Sequence, residues 1–188
     1  MWAVAGLGNP GRRYLKTRHN AGFMAVEALA GRLGAHWRPV IAGGDVSTAR
    51  AVIDGTEVLL IKPLAYMNSS GIALNRILQR KKIPPQNLIV IHDDIDMETA
   101  RLRIRKGGSS GGHKGIESII RETGSRDFIR VKIGVGRHPD KPADVYVLER
   151  FASGEMQLIS EALDLAAQAA IDIITEGPDA AMNRFNRR

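Results

Sequence analysis

One histidine, His19, stands in a loop stocked with groups that could serve it. The stretch from Leu7 to Asn20 reads Leu-Gly-Asn-Pro-Gly-Arg-Arg-Tyr-Leu-Lys-Thr-Arg-His-Asn. Imidazole titrates near neutral pH, which suits it to general base work. Asn9 opens the same loop with an amide that can donate and accept hydrogen bonds without carrying charge. Tyr14 lies between them. A second candidate group follows the most apolar run of the chain, Leu88 to Ile91, as His92-Asp93-Asp94. Successive side chains of a strand point to opposite faces, so His92 and Asp93 cannot share one. One of them reaches the carboxyl end of the strand, where open α/β sheets bind ligands. A carboxylate there can hydrogen-bond an imidazole N–H and fix its tautomer. Asp93 fits a turn equally well. Asn68 offers a further amide, with helix capping by Asn68-Ser69-Ser70 as its competing use.

Other chemistries fit less well. Gly6-Leu7-Gly8-Asn9-Pro10-Gly11 matches G-x-G-x-x-G after a strand. Pro10 and a long loop then intervene where a dinucleotide site needs a helix, so the glycines read as a turn that presents Asn9. Gly108-Ser109-Ser110-Gly111-Gly112 matches G-x-S-x-G, but Arg105-Lys106-Gly107 is not the apolar strand a nucleophile elbow requires. That loop reads either as an anion nest at a helix start or as a mobile surface loop. The 5 histidines show no zinc-ligand spacing and cysteine is absent, which excludes disulfides and thiol catalysis. A metal phosphoesterase built on Asp93, Asp94 and Asp96 would want more converging carboxylates. Direct attack by water is favoured over a covalent intermediate.

The charge points to a partner. The 188 residues carry 27 Lys+Arg against 20 Asp+Glu, a formal net charge of +7. That balance suggests an anion, with nucleic acid leading. Arg101-Leu102-Arg103-Ile104-Arg105 and Arg130-Val131-Lys132-Ile133 alternate basic and apolar residues, so two strands could form a basic strip for phosphates. A solvated polar face is the competing reading. No apolar run approaches a membrane span, and the N-terminus shows no signal-peptide pattern.

The elements needed to position these groups are legible in outline. Met1 to Leu7 reads as a buried strand and Gly22 to Leu33 as an amphipathic helix. Val46 to Ile53 and Glu57 to Ile61 flank Asp54-Gly55, a hairpin signal, with Lys62-Pro63 ending the second strand. A helix through Ile72, Ile77 and Leu78 stops before Pro84-Pro85. Strands over 101–105 and 128–135, a helix ending near Arg121, a long helix over 153–175 and a basic tail ending Asn186-Arg187-Arg188 complete the chain. Alternating strands and helices with one hairpin predict a single α/β domain over 1–188. Its expected form is three-layer α/β/α, with a mixed, mostly parallel central sheet.

With these motifs in order, the chain resembles the bacterial-type peptidyl-tRNA hydrolases over nearly its whole length. The resemblance rests on four ordered motifs and one later segment. Leu7-Gly8-Asn9-Pro10-Gly11 with Tyr14 and Thr17-Arg18-His19-Asn20 forms the first. Lys62-Pro63-Leu64-Ala65-Tyr66-Met67-Asn68-Ser69-Ser70-Gly71 forms the second. His92-Asp93-Asp94-Ile95-Asp96 and Gly111-Gly112-His113-Lys114-Gly115 form the third and fourth. Arg130 to Gly136 is the later segment. The resemblance implies hydrolysis of the ester joining a peptide to the 3′ end of tRNA, without metal or cofactor. It implies a cytoplasmic monomer whose partner is tRNA. His19 would be the base on water, Asp93 its support, and Asn9 the group that tells blocked from free aminoacyl-tRNA. Tyr14, Tyr66, Asn68, His113 and Lys114 would contact the tRNA 3′ end or the peptide, and Arg103 and Lys132 would grip phosphate. Two positions depart from the family pattern. Lys114 stands where the family usually has Asn, and lysine cannot accept a hydrogen bond. Ala65 stands where Thr is frequent. An RNA-binding relative without activity is the rival from another class.

Overall fold

The computed structural model describes residues 1–39 and 45–186; Arg187 and Arg188 of the basic tail lie outside the described residues. In chain order the elements are β1 (Trp2–Gly6), α1 (Ala21–Arg32), β2 (Arg38–Pro39), β3 (Val46–Ile53), β4 (Thr56–Pro63), α2 (Ser70–Lys81) and β5 (Leu88–Asp94). There follow β6 (Leu102–Lys106), α3 (Lys114–Thr123), β7 (Ile129–Gly134), α4 (Ala143–Tyr146), α5 (Met156–Glu176) and α6 (Pro178–Phe185). The strands form one sheet in the order β2-β3-β4-β1-β5-β7-β6. The four central strands β4, β1, β5 and β7 run parallel, and the pairings at both edges are antiparallel. This is the mixed sheet that the alternation of elements predicts.

The alternation along β5 shows how the layers are made. Ile89 and Ile91 pack with Val26 and Leu29 of α1 and Ile159 and Ile173 of α5. Leu88 and Val90 face the other way, onto Leu74 and Ile77 of α2 and Ile116 and Ile119 of α3. A central parallel strand is covered on both faces, so both parities must be apolar. Each fully buried Leu or Ile here contributes about 1.5–3 kcal/mol.

Local signals act where expected. Asp54 (φ 45°) and Gly55 (φ 75°) make the two-residue turn between β3 and β4, with both central residues at positive φ as such hairpins require. Three features differ from the expectation. β4 continues through Lys62, paired with Ser47, and stops at Pro63 opposite Val46. At a strand end the missing proline N–H costs little. α2 is entered through a 3₁₀ turn, Met67–Ser69, and no side chain caps it. The short helices α4 and α6 were not anticipated. α6 carries Asn186 onto β6, the last strand of the sheet. There its Oδ1 accepts from the Ile104 N–H at 2.7 Å and its Nδ2 donates to the Ile104 carbonyl at 3.1 Å.

The G-x-G-x-x-G glycines turn out to serve packing more than turning. A Cβ on Gly6 would lie 2.2 Å from the Gly22 carbonyl oxygen, and one on Gly8 would lie 2.7 Å from the Phe23 ring. Only Gly11 of the three has a positive φ, 106°. The first two let α1 sit directly on the end of β1, and this delivers the 7–20 loop to the carboxyl ends of β1 and β5.

Candidate active site

At those carboxyl ends lies a cavity of about 760 Å³. Asn9, His19, Tyr66, Asn68, Asp93, Arg103, His113, Lys114 and Lys132 all line it. Tyr14 does not; it lies in a 3₁₀ turn with the Arg13 guanidinium 4.6 Å from its ring centroid.

Asp93 is the hub. It stands where β5 runs past the helices, so its carboxylate is reached from both layers. His19 Nδ1 approaches its two oxygens at 2.9 and 3.0 Å, and His113 Nε2 approaches Oδ1 at 3.0 Å. Burial at 2% exposure works against ionisation, but the two imidazoles outweigh it and hold the carboxyl well below the usual carboxylate range. An ionised carboxylate only accepts. Both imidazole nitrogens facing it therefore carry protons, and His19 keeps its lone pair on Nε2.

His113 has a second duty. As the residue before α3, it accepts the Gly115 and Ile116 N–H groups on Nδ1, at 3.1 and 3.3 Å. This fixes its neutral tautomer, with the proton on Nε2. Both ring nitrogens are thus engaged inside the protein, while the ring still lines the cavity. The same cap takes N–H groups that an anion nest at this helix start would have used. The glycine-rich loop is held from another side: the Arg130 guanidinium, itself buried, donates to the Ser109 carbonyl at 2.6 Å. Burial, and then Arg105 nearby, lower the Arg130 pKa.

His92 donates from Nδ1 to the Asp93 carbonyl at 2.7 Å and stacks edge-on to His113 at 4.6 Å between centroids. Its Nε2 is buried with no partner among the described residues. Burial first, then His113, push its pKa well below the ordinary value, so it is neutral at pH 7.

Asn9 is held on three sides. Its N–H donates to Asn20 Oδ1 (2.9 Å), its carbonyl accepts from Asn20 Nδ2 (3.0 Å), and its Oδ1 accepts from the Met67 N–H (2.9 Å). Its Nδ2 is what remains for the cavity, so Asn9 presents a donor there. Asn20 supplies this brace; its place beside His19 in Thr17-Arg18-His19-Asn20 was the one available signal. Lys132 is paired with Asp94 at 2.8 Å, and Arg103 lies opposite it in the β6–β7 register. Arg105 and Arg130 form the next pair of that basic ladder.

Among the described residues, His19, Asp93 and His113 have ligand atoms within 4.8 Å of one another. A metal at His113 Nε2 would have to displace its proton while Nδ1 still accepts two N–H groups. The donor set is therefore built for proton-mediated hydrogen bonds, and a cation fits it poorly.

A family model described as peptidyl-tRNA hydrolase matches residues 3–188. The chain belongs to the peptidyl-tRNA hydrolase family. It is 44% identical over 189 residues to the peptidyl-tRNA hydrolase of Thermodesulfovibrio yellowstonii, covering 100% of both chains. It is 45% identical over 191 residues to that of Thermoanaerobacter sp., covering 99% of this chain and 100% of the relative. The crystal structure of peptidyl-tRNA hydrolase from Acinetobacter baumannii superposes with a TM-score of 0.91 at 34% identity, covering 99% of this chain and 94% of that one. In this family member Lys114, exposed at the first turn of α3, lines the same cavity as His19 and Asp93.

Sequence reasoning missed one side of the cavity. Ala143, Asp144, Val147 and Leu148 form a wall, and Ile95 and Met97 also line the cavity. It also missed the burial of Arg18, which is 6% exposed. No spacing or composition signal marks a buried arginine, because the aromatic rings and carboxylate that house it come from more than 100 residues away in sequence.

Proposed function

We propose that this chain hydrolyses the ester between peptide and tRNA in peptidyl-tRNA, with His19 as general base. The observation that carries the reading is the His19 Nδ1–Asp93 contact at 2.9 Å inside the cavity. It leaves Nε2 as the basic atom. Water attacks the ester carbonyl carbon while Nε2 takes its proton. The C–O bond to the ribose then breaks, and the imidazolium returns the proton to the leaving 3′ oxygen, giving a free peptide acid and tRNA. The ionised Asp93 stabilises the imidazolium in between.

Asn9 supports the choice of substrate. It can only donate into the cavity. The acyl carbonyl of an N-blocked amino acid accepts such a bond, whereas a free α-ammonium is itself a donor and is repelled. Arg103 and the basic ladder behind it suit the tRNA backbone, and Tyr66, 60% exposed at the rim, suits stacking on a terminal base. Asn68 and Lys114 are placed to contact the tRNA end or the peptide. The proposal takes residues 1–188 as one domain, which the single continuous sheet supports. It takes the chain to act as a monomer in the cytoplasm, where ribosomes produce this substrate. It takes the reaction to need no metal, a reading supported by the poor fit of the His19–Asp93–His113 donor set to a cation.

The deciding test is His19→Asn, which keeps a hydrogen-bonding group near Asp93 but removes the base. Release of N-acyl-amino acid from charged tRNA should fall by about 10²–10⁴-fold, the range for loss of a general base, while tRNA affinity stays nearly unchanged. Unblocked aminoacyl-tRNA serves as the negative control. Surviving turnover in the variant would remove His19 from the role.

A further inference from the structure

Immediately before His19, the Arg18 side chain turns into the protein instead of into solvent. Its guanidinium makes a two-point contact with Glu155, Nη1 to Oε1 at 3.0 Å and Nη2 to Oε2 at 2.7 Å, and Nη1 also donates to the Val135 carbonyl at 3.1 Å. The rings of Tyr146 and Phe151 lie 4.4 and 4.9 Å from its central carbon. Tyr146 donates its hydroxyl to the same Val135 carbonyl at 3.1 Å. Four parts of the chain therefore meet on this one side chain: the His19 turn, the end of β7, the 143–151 segment and the start of α5. Planar, forked donors stacked on aromatic faces are a task lysine cannot copy.

The backbone runs along the same seam. The Arg18 N–H donates to the Glu149 carbonyl at 3.0 Å, and the His19 N–H donates to the Val147 carbonyl at 2.8 Å. Thr17 and Arg150 form a β-bridge. The 143–151 segment is at the same time the cavity wall, through Ala143, Asp144, Val147 and Leu148. The wall that faces substrate thus hydrogen-bonds the main chain of His19 directly.

We propose that Arg18 is a positioning residue: held by Glu155, Tyr146 and Phe151, it locks the 143–151 wall onto the Thr17–Asn20 turn and so keeps the His19 ring seated on Asp93. Its bearing on catalysis rests on the reading of His19 as the base. Glu155 suits the part, because the hydrogen bond from Arg18 lowers its pKa and keeps it ionised. It also accepts the Ala152 N–H at 2.8 Å, which closes the segment behind the wall. A displacement of the turn by a fraction of an ångström changes the reach of Nε2 toward the attacked carbonyl, and such misplacement lowers the chemical step more than binding.

The test compares Arg18→Lys and Glu155→Gln with Ile173→Val, a core change near the far end of α5. Three quantities are read on each: kcat and KM on N-acyl-aminoacyl-tRNA, Tm, and the ring ¹⁵N shifts of His19, which report its tautomer without reference to activity. In both clamp variants kcat should fall about ten-fold or more, as expected for a misplaced catalytic group, with KM little changed. The His19 ring should lose its single Nδ1–H tautomer. Ile173→Val should lower Tm while leaving kcat and the ring signals as they were. Glu155→Gln keeps one acceptor for Arg18 and the bond to Ala152, so it carries the comparison if Arg18→Lys does not fold. Clamp variants with lowered Tm but unaltered kcat and ring shifts would overturn the proposal and leave Arg18 a structural residue. A ring that loosens while kcat holds keeps the clamp and removes His19 from the role of base.

Discussion

Asp93 serves two imidazoles at once, and the two are not equivalent. His19 presents its remaining nitrogen to the cavity, whereas His113 is tied at both nitrogens. The helix start thus sets the tautomer of His113, and His113 shares Oδ1 of the carboxylate with His19. Replacement separates the two duties. Asn is a strong N-cap, so His113→Asn should keep α3 intact while losing the bond to Asp93; kcat should drop about ten-fold, the scale of losing an orienting hydrogen bond behind a working group. His113→Ala should lose kcat similarly and also about 1 kcal/mol of stability from the missing cap. Full kcat in His113→Asn would mean that His19 alone orients the carboxylate. At this scale the sequence named residues that meet in one cavity, but not how they meet. His19 and Asp93 were singled out from type and context. The double role of His113 depends on where its ring points relative to α3, and residue order carries no record of that.

Helix α1 and the strands beneath it meet through backbone, and Gly22 is the helix's own contribution to that approach. A Cβ on Gly22 would fall 2.2 Å from the Ile91 oxygen and 2.5 Å from the Leu7 nitrogen. Both neighbours are main chain next to the site, so neither can give way cheaply. Gly22→Ala should destabilise by about 3 kcal/mol despite the better helix propensity of alanine. Gly31, in the same helix, has nothing within 4 Å of its would-be Cβ. Gly31→Ala should therefore stabilise by about 0.5–1 kcal/mol. Denaturant midpoints of the two variants check both signs, and equal shifts would dismiss the close approach as the cause. Elements with a strong local signature were legible: the Asp54-Gly55 hairpin, the apolar run of β5, and the basic–apolar alternation of β6 and β7. The four-residue helix α4 was not, because it is held by the Pro142 carbonyl and by the contacts of Tyr146 with Arg18 and Val135 instead of by its own pattern.

For the whole molecule, acid should lower stability through two groups, beginning at different pH. His92 has its pKa depressed below the ordinary 6.5. Below that pH the unfolded chain binds a proton that the folded chain refuses, so stability is lost on acidification at up to about 1.4 kcal/mol per pH unit. Asp93 is depressed below 3.8; its contribution is present above that value and is lost only as pH falls through and beneath it. His92→Asn should flatten the loss that sets in as pH falls below about 6.5 and leave the Asp93 contribution in place. Urea titrations across that range read it directly, and an unchanged slope would assign the loss to other groups. The general architecture, a mixed sheet between helical layers, followed from the order of elements. The seam that joins residues 16–19 to 143–155 did not, since pairing across such a separation leaves no local trace.

The amide of Asn186 has a consequence for how the sheet ends. β6 is an outermost strand, and the unpaired main chain of such a strand is a template for foreign strands. By giving one acceptor and one donor to Ile104, Asn186 imitates a single residue of a further strand. It sits at the middle of the five-residue strand, where any incoming strand would need to form its central rungs. A side chain delivered by α6 thus acts as a stopper, halting the sheet at seven strands without adding an eighth.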